Sequence, residues 1–258
     1  VRVILAKFLS GFLFVGIGLV ATLGIPISLM TAGDLDLGAV GAQYLGTIFL
    51  IAAYVSIGLF TSSLTRNQII AFILSFLIIS VLTLAGSPGV TMALPPQVGV
   101  LVQDLSPITH FEGIARGVLD LRDVLYFAAL LITFFSATYL MTRGKSLSHR
   151  SALYRNLRFG VLGLVLLSVT IGWFGRHIEG RLDLTGSRLY TLSPATLELL
   201  DGLEDIVTIK VFLSKSPPVQ LAVPTRYVND FLDDLESAAK GNVKVIRLYS
   251  NGDDDVAT

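Results

Sequence analysis

Five apolar stretches, each near the length needed to cross a bilayer, constrain this chain more than anything else in it. They run over Phe8–Met30, Tyr44–Leu64, Ile69–Gly86, Val124–Met141 and Leu157–Phe174, and their only charge is Arg158 at the edge of the last. A spanning helix needs about 20 such residues, because each residue advances the helix by a fixed rise and the hydrocarbon layer has a fixed thickness. Apolar core helices of a soluble protein rarely supply five runs of this kind. With 53% hydrophobic and only 15% charged residues, the chain also lacks the surface charge of a soluble protein, where about a quarter of residues are charged. The sequence predicts a multi-pass membrane protein.

Its charges predict an orientation. The run Arg143–Arg158, RGKSLSHRSALYRNLR, holds five cations (Arg143, Lys145, Arg150, Arg155, Arg158) and no carboxylate. Short Lys/Arg-rich loops stay on the cytoplasmic side, where the inner leaflet attracts them and translocation is costly. Counting crossings from there places Arg2, Lys7 and Arg66 inside as well. Asp34, Asp36, Asp104, Glu112, Asp120 and Asp123 fall outside, with only Arg116 and Arg122 among the cations. The expected topology has a cytoplasmic N-terminus and everything after Phe174 outside, which in a Gram-negative cell is the periplasm. Residues 176–258 are acidic, and no general basic footprint for nucleic acid is present. There is no cysteine, so neither disulfides nor thiolate metal sites contribute.

Within the spans, Gly11, Gly16, Gly18 and Gly24, then Ala52, Ser56 and Gly58, are small residues at which helices can approach closely. No span carries a buried Asp, Glu, Lys or His, the mark of an ion-coupled pump. Any transport would draw its energy elsewhere. The first outer loop contains Asp34-x-Asp36-x-Gly38. Without a third acidic ligand and a distal Glu this reads as turn and helix-capping carboxylates rather than a Ca²⁺ loop. In the second outer loop, helices are expected over about 88–123. Ile108, Phe111, Ile114, Ala115, Val118 and Leu119 recur at helical spacing, as on an amphipathic helix at the outer interface. His110 and Glu112 have no second ligand nearby, so His110 reads as a surface or interface residue and not a catalytic one.

After the fifth span, Ser193-Pro194 is a helix start, a hydroxyl cap followed by Pro where no N–H is needed. Leu197, Leu200 and Leu203 give that helix an apolar side. Ile206–Leu213 reads as a strand, Thr225–Ala239 as a helix with Tyr227, Val228, Phe231, Leu232 and Leu235 as its stripe, and Val243–Tyr249 as a second strand. Strand–helix–strand implies parallel pairing. The expected fold is therefore an α-helical membrane protein of about five transmembrane helices followed by a small, incomplete α/β extracytoplasmic domain. A chain opening on Val and ending on GDDDVAT reads as a fragment of something longer.

The segment YLGTIFLIAAYVSIGLFTSSLTRNQIIAFILSF, with THFEGIARGVLDLRDVLYF and the early D-x-D-x-G loop, resembles the permease of type-2 ATP-binding-cassette (ABC) exporters, and more narrowly the gliding-motility-associated family. Ser62–Gln68 and His110–Phe127 carry that likeness most specifically. It implies that the first four spans are the last four of six and that residues 1–145 are the permease region. Residues 146–156 would be a basic cytoplasmic linker and 157–175 an anchor helix. Residues 176–258 resemble the auxiliary component of the same systems through D-L-T at Asp183–Thr185 and R-x-Y-T-L-S-x-x-T at Arg188–Thr196.

The resemblance implies a permease fused to an auxiliary domain in a bacterial inner membrane, working as a dimer with a separate cytoplasmic ABC ATPase. Arg2, Lys7, Arg66, Asn67 and Gln68 would face that ATPase, and Asp34, Asp36, His110, Glu112, Asp120 and Asp123 would lie in the outer loops. No Walker-type G-x-x-x-x-G-K-[ST] occurs, so this chain is expected to be no enzyme and to bind no cofactor, ATP being used by the partner. The alternative is a non-transporting scaffold of an envelope or gliding machine whose outer domain binds a partner, through an acidic helix face at Asp230, Asp233, Asp234 and Glu236 if that face is more than solvated surface.

Overall fold

The computed structural model describes residues 2–144, 180–186, 188, 190–203, 205–214 and 219–250. The fifth apolar stretch and all but the first two residues of the basic run lie outside the described residues.

Four helices among the described residues are long and apolar enough to cross a membrane. The first is α1 (Arg2–Ala21), continued by the short α2 (Gly24–Leu29); the others are α3 (Leu37–Leu64), α4 (Gln68–Ala85) and α8 (Leu121–Gly144). Between α4 and α8 come α5 (Pro88–Thr91), α6 (Pro96–Asp104), α7 (Pro107–Ala115) and the short strand β1 (Val118–Asp120). Two compact units result. One comprises Val1–Gly86 with Asp104–Leu184, the other Ser87–Gln103 with Thr185–Thr258.

In the first unit α3 is the central helix, packed by α1, α4, α7 and α8. Ala42, Ala53, Ile57, Ile114, Tyr126, Phe127 and Leu130 form its buried core. Asp36 caps α3, its Oδ1 accepting from Gly38 N at 2.9 Å and Ala39 N at 3.1 Å. The expected capping role is what the Asp34-x-Asp36 loop provides, at about 1 kcal/mol for a cap of this kind. Asn67 caps α4 in the same way. Helices meet through hydroxyls as well: Tyr54 Oη and Thr83 Oγ1 are 2.6 Å apart, and Thr61 bonds Ser75. Only one of the four first-span glycines named above meets a neighbour, Gly11 against Val55; Gly16, Gly18 and Gly24 face open space. The closer approaches are at Gly46, under Phe111 and Ile114, and Gly86, against Ser106 and Thr109.

Connectivity and contacts fix which ends lie together. Phe8 meets Phe135 edge-on, with ring centroids 4.8 Å apart, whereas Thr22 Oγ1 lies 3.0 Å from Tyr44 Oη. Arg2, Lys7 and the Arg66 turn therefore share one end, the basic end. Asp36, Asp104, Asp120 and Asp123 share the other, the acidic end. Along α1 and α4 the apolar side chains point outward, with Phe14 79% and Phe72 70% exposed. An apolar surface of that extent suits lipid, since soluble monomers rarely expose more than a few hundred Å² in one patch.

The outer loop departs from the single amphipathic helix expected through Leu119. Helix α7 stops at Ala115, and Gly117 at φ +100 turns the chain. Val118 and Leu119 then belong to β1, not to the helix. Ile114 is fully buried against α3, so α7 is a core element of this unit and does not lie on its surface. Strand β1 pairs antiparallel with β2 (Arg181–Asp183), Val118 opposite Asp183. Since α8 is 24 residues long, about 36 Å at 1.5 Å per residue, the chain leaves the acidic end at Leu121 and is back at it by Gly180.

In the second unit, Ser193 caps α9 (Pro194–Asp201), accepting from Thr196 N at 3.1 Å. Strands β3 (Val207–Ser214) and β4 (Val243–Ser250) pair in parallel, Val207 opposite Val243, with α10 (Val219–Ala238) between them in the chain. Leu200, Ala239 and Val243 are its buried core, lined by Leu203, Ile209, Leu235 and Val245. Helix α10 starts six residues before the expected Thr225 and runs through Pro224. Its expected stripe is only partly covered: Leu232 is buried, whereas Val228 and Phe231 are exposed.

Candidate functional site

Among the described residues of the first unit, the densest group of ionisable side chains lies at the acidic end, where α7, β1 and α8 meet. The sequence D-L-R-D at Asp120–Asp123 spans the end of β1 and the first turn of α8, and that change of direction turns three charged residues inward. Asp120, Arg122 and Asp123 are all buried, as are His110 and Asp104. His110 Nδ1 is 2.7 Å from Asp123 Oδ1, and its Nε2 is 2.9 Å from the carbonyl oxygen of Asp104. A carbonyl only accepts, so Nε2 carries a hydrogen. The Nδ1–Asp123 contact then holds one further proton, on an imidazolium facing a carboxylate or on the acid facing a neutral ring.

Arg122 Nη2 donates to Asp120 Oδ2 at 2.8 Å, and its Nε lies 3.6 Å from Asp123 Oδ1. The second oxygen of Asp123 is buried and accepts no hydrogen bond among the described residues. Tyr126, one turn along α8, stacks on the imidazole at a centroid distance of 3.8 Å and donates its hydroxyl to the Leu105 carbonyl at 2.7 Å. The Asp104–Leu105 backbone is thus tied to α7 through His110 and to α8 through Tyr126. Chemically this is an anchoring network: Asp120 faces Arg122, and Asp123 faces both Arg122 and the imidazole of His110, the pairing that burial of charge demands.

Placed in this frame, the sequence-selected residues separate. His110, Asp120 and Asp123 come together, so the surface reading of His110 gives way to a buried, hydrogen-bonded one. Glu112 and Asp34 are exposed and stand apart from the cluster, and Asp36 is spent on the α3 cap. Arg122 and Tyr126 were absent from the expected set, though Arg122 sits between two chosen aspartates and Tyr126 one turn beyond Asp123. No group of three His, Cys, Asp or Glu residues suited to a metal ion occurs among the described residues. At the basic end Arg2, Lys7, Arg66, Asn67 and Gln68 are all exposed. Asn67 uses its Oδ1 in the α4 cap.

On the second unit's acidic helix face, Asp233 pairs with Arg247 of β4 and Glu236 accepts from Val245 N at 3.3 Å, so both serve the domain itself. A family described only as a domain of unknown function, DUF7088, matches residues 186–254. The match takes in α9, β3, α10 and β4. No curated protein and no solved structure matches the chain.

Proposed function

We propose that this chain is the membrane permease component of an ABC transporter, an exporter of the gliding-motility-associated type, carrying an auxiliary domain on the far side of the membrane from its ATPase. The observation that carries the reading is the arrangement of α4–α8. A helical excursion at the acidic end separates the last two described spanning-length helices, as in the permeases that Ser62–Gln68 and His110–Phe127 resemble. The stretches Phe8–Met30, Tyr44–Leu64, Ile69–Gly86 and Val124–Met141 carry no charge, which supports it, because they offer no group to couple an ion gradient. In the proposed mechanism a dimeric ATPase closes on ATP, pushes on the basic end near Lys7 and Arg66, and tilts the spans of two permease copies between inward- and outward-open states.

The return of the chain to the acidic end by Gly180 supports a fifth crossing within residues 145–179. In this reading the basic linker lies on the side of Arg66, and residues 185–250 lie outside the cytoplasm of a bacterial inner membrane. Reporters fused at Ser148 and Gly252 test the sidedness: the first is expected to behave as cytoplasmic, the second as exported.

Purification of the full chain with its native partners tests the transport reading. Co-purification of a Walker-type ATPase whose turnover is stimulated by the chain, and stimulation lost on the double change Lys7→Glu and Arg66→Glu, is the expected result. An ATPase indifferent to those changes would count against it.

A scaffold role is the second reading. It is favoured by the sheet face of the second unit, where Phe212 is 74% exposed, because parallel strands are ordinarily covered on both faces. Capture of an envelope protein through that face, with no ATPase attached, would favour it.

A further inference from the structure

Residues Gly180–Leu184 occupy a groove at the acidic end that three glycines make possible. Leu121 N donates to Gly180 O and Leu184 N to Gly117 O, each at 2.8 Å, extending the β1–β2 ladder at both ends. Across from β1, the Leu184 carbonyl comes so near the start of α3 that a Cβ on Gly38 would lie 1.7 Å from its oxygen. Gly180 takes φ +138, and a Cβ there would lie 3.2 Å from that of Leu121. No L side chain fits at Gly38 without moving the segment, and one at Gly180 is strained. The side chain of Leu184 packs against the core shared by α3, α7 and α8. This stem is therefore held simultaneously on the first turns of α3 and α8.

We propose that the stem is a latch. While Gly180–Leu184 is docked, it ties the acidic ends of α3 and α8 together, and those ends separate only when it leaves the groove. A ladder of three residue pairs can open without unfolding either helix, since its bonds are the stem's own. Whatever pulls on the domain that follows the stem then governs that end of the bundle. The latch rests on this geometry alone and holds whether the chain transports or acts as a scaffold.

The test uses the full chain in lipid vesicles, where the absence of native cysteine leaves the background clean. Val118 and Asp183 face each other between the flanking hydrogen-bonded pairs, a spacing of about 4.5 Å that suits a disulfide. The pair Val118→Cys/Asp183→Cys should cross-link on mild oxidation, and Gly38→Val should lower the yield at least fivefold. In a separate chain, nitroxides at Gly41→Cys on α3 and Ala128→Cys on α8, both exposed positions, report the distance between the two ends. Adding Gly38→Val should lengthen and broaden that distance. Gly180→Ala, which leaves α3 untouched, should do the same more weakly, with helical circular dichroism retained in both. Unchanged cross-linking in the Gly38→Val chain would overturn the dock, and an undocked stem with unchanged spin-label distances would overturn the latch.

Discussion

His110 and Asp123, thirteen residues apart on α7 and α8, form a buried pair with Nδ1 and Oδ1 2.7 Å apart and both side chains 3% exposed. The pair closes the acidic end because the ring's other nitrogen holds the Asp104 carbonyl. Removing one member strands the other in a buried site without its partner. His110→Ala and Asp123→Ala should each cost about 1–3 kcal/mol. In thermal unfolding of the detergent-solubilised chain, each kcal/mol corresponds to about 2–4 °C for a chain of this size. The double variant should lose less than the sum of the singles, the signature of a direct interaction. Glu112→Gln, at an exposed position on the same helix, should leave the transition unmoved.

Glycine substitutions should divide by what surrounds them. A Cβ at Gly86 would lie 2.6 Å from that of Ser106, whereas Gly16 faces open space. Gly86→Ala should destabilise by about 1–3 kcal/mol through overpacking. Gly16→Ala should be neutral or slightly stabilising, by up to about 1 kcal/mol, because alanine favours the helix interior. Equal losses at both positions would contradict the α4–α7 contact.

The two ends of the bundle should be chemically distinguishable. Single cysteines at Asp34, Glu112 and Arg66, all exposed, can be labelled with a membrane-impermeant maleimide in sealed vesicles of known sidedness. Asp34→Cys and Glu112→Cys should react from one side and Arg66→Cys from the other. Reaction of all three from the same side would remove the basis for α3 and α4 as crossings.

In the second unit, hydrogen-exchange protection of β3 and β4 should depend on Asn242 and hardly on Asp201. Asn242 Nδ2 donates to the Leu203 carbonyl at 3.0 Å, and its own carbonyl accepts from Val207 N at 2.8 Å. Asn242→Ala removes the side-chain bond and should lower protection by about 1 kcal/mol. The Lys240–Asp201 pair is 77% and 66% exposed, so Asp201→Asn should change protection by no more than about 0.5 kcal/mol.

Much of this architecture was legible in the residues, and the misses have definite causes. Long charge-free runs need only length and composition to be read, so four spanning-length helices overlap the expected stretches, although α3 starts at Leu37 instead of Tyr44 and the first is broken after Ala21. Caps at Asp36 and Ser193 are local chemistry and were equally readable. The spacing of Val118 and Leu119 continues that of Ile114 and so points to a helix. The signal against it was Gly117, whose positive φ ends α7, and the partner that makes them a strand lies some sixty residues later. The burial of His110 leaves no trace in the sequence for a related reason. Its ligands are a backbone carbonyl six residues before it and a carboxylate thirteen after it, and neither spacing belongs to a regular element. The close approaches at Gly38 and Gly86 are not readable from the sequence, because a steric demand from a distant segment leaves no periodic trace.

The pairing of β1 with β2 also sets an order of events during synthesis. Val118–Asp120 leaves the ribosome well before Arg181–Asp183, and in the interval its edge has no strand to meet. An open edge of this kind invites pairing with other chains. The acidic end is thus completed only after everything up to Leu184 has been made, and a nascent chain stalled earlier would enter quality control with that edge bare.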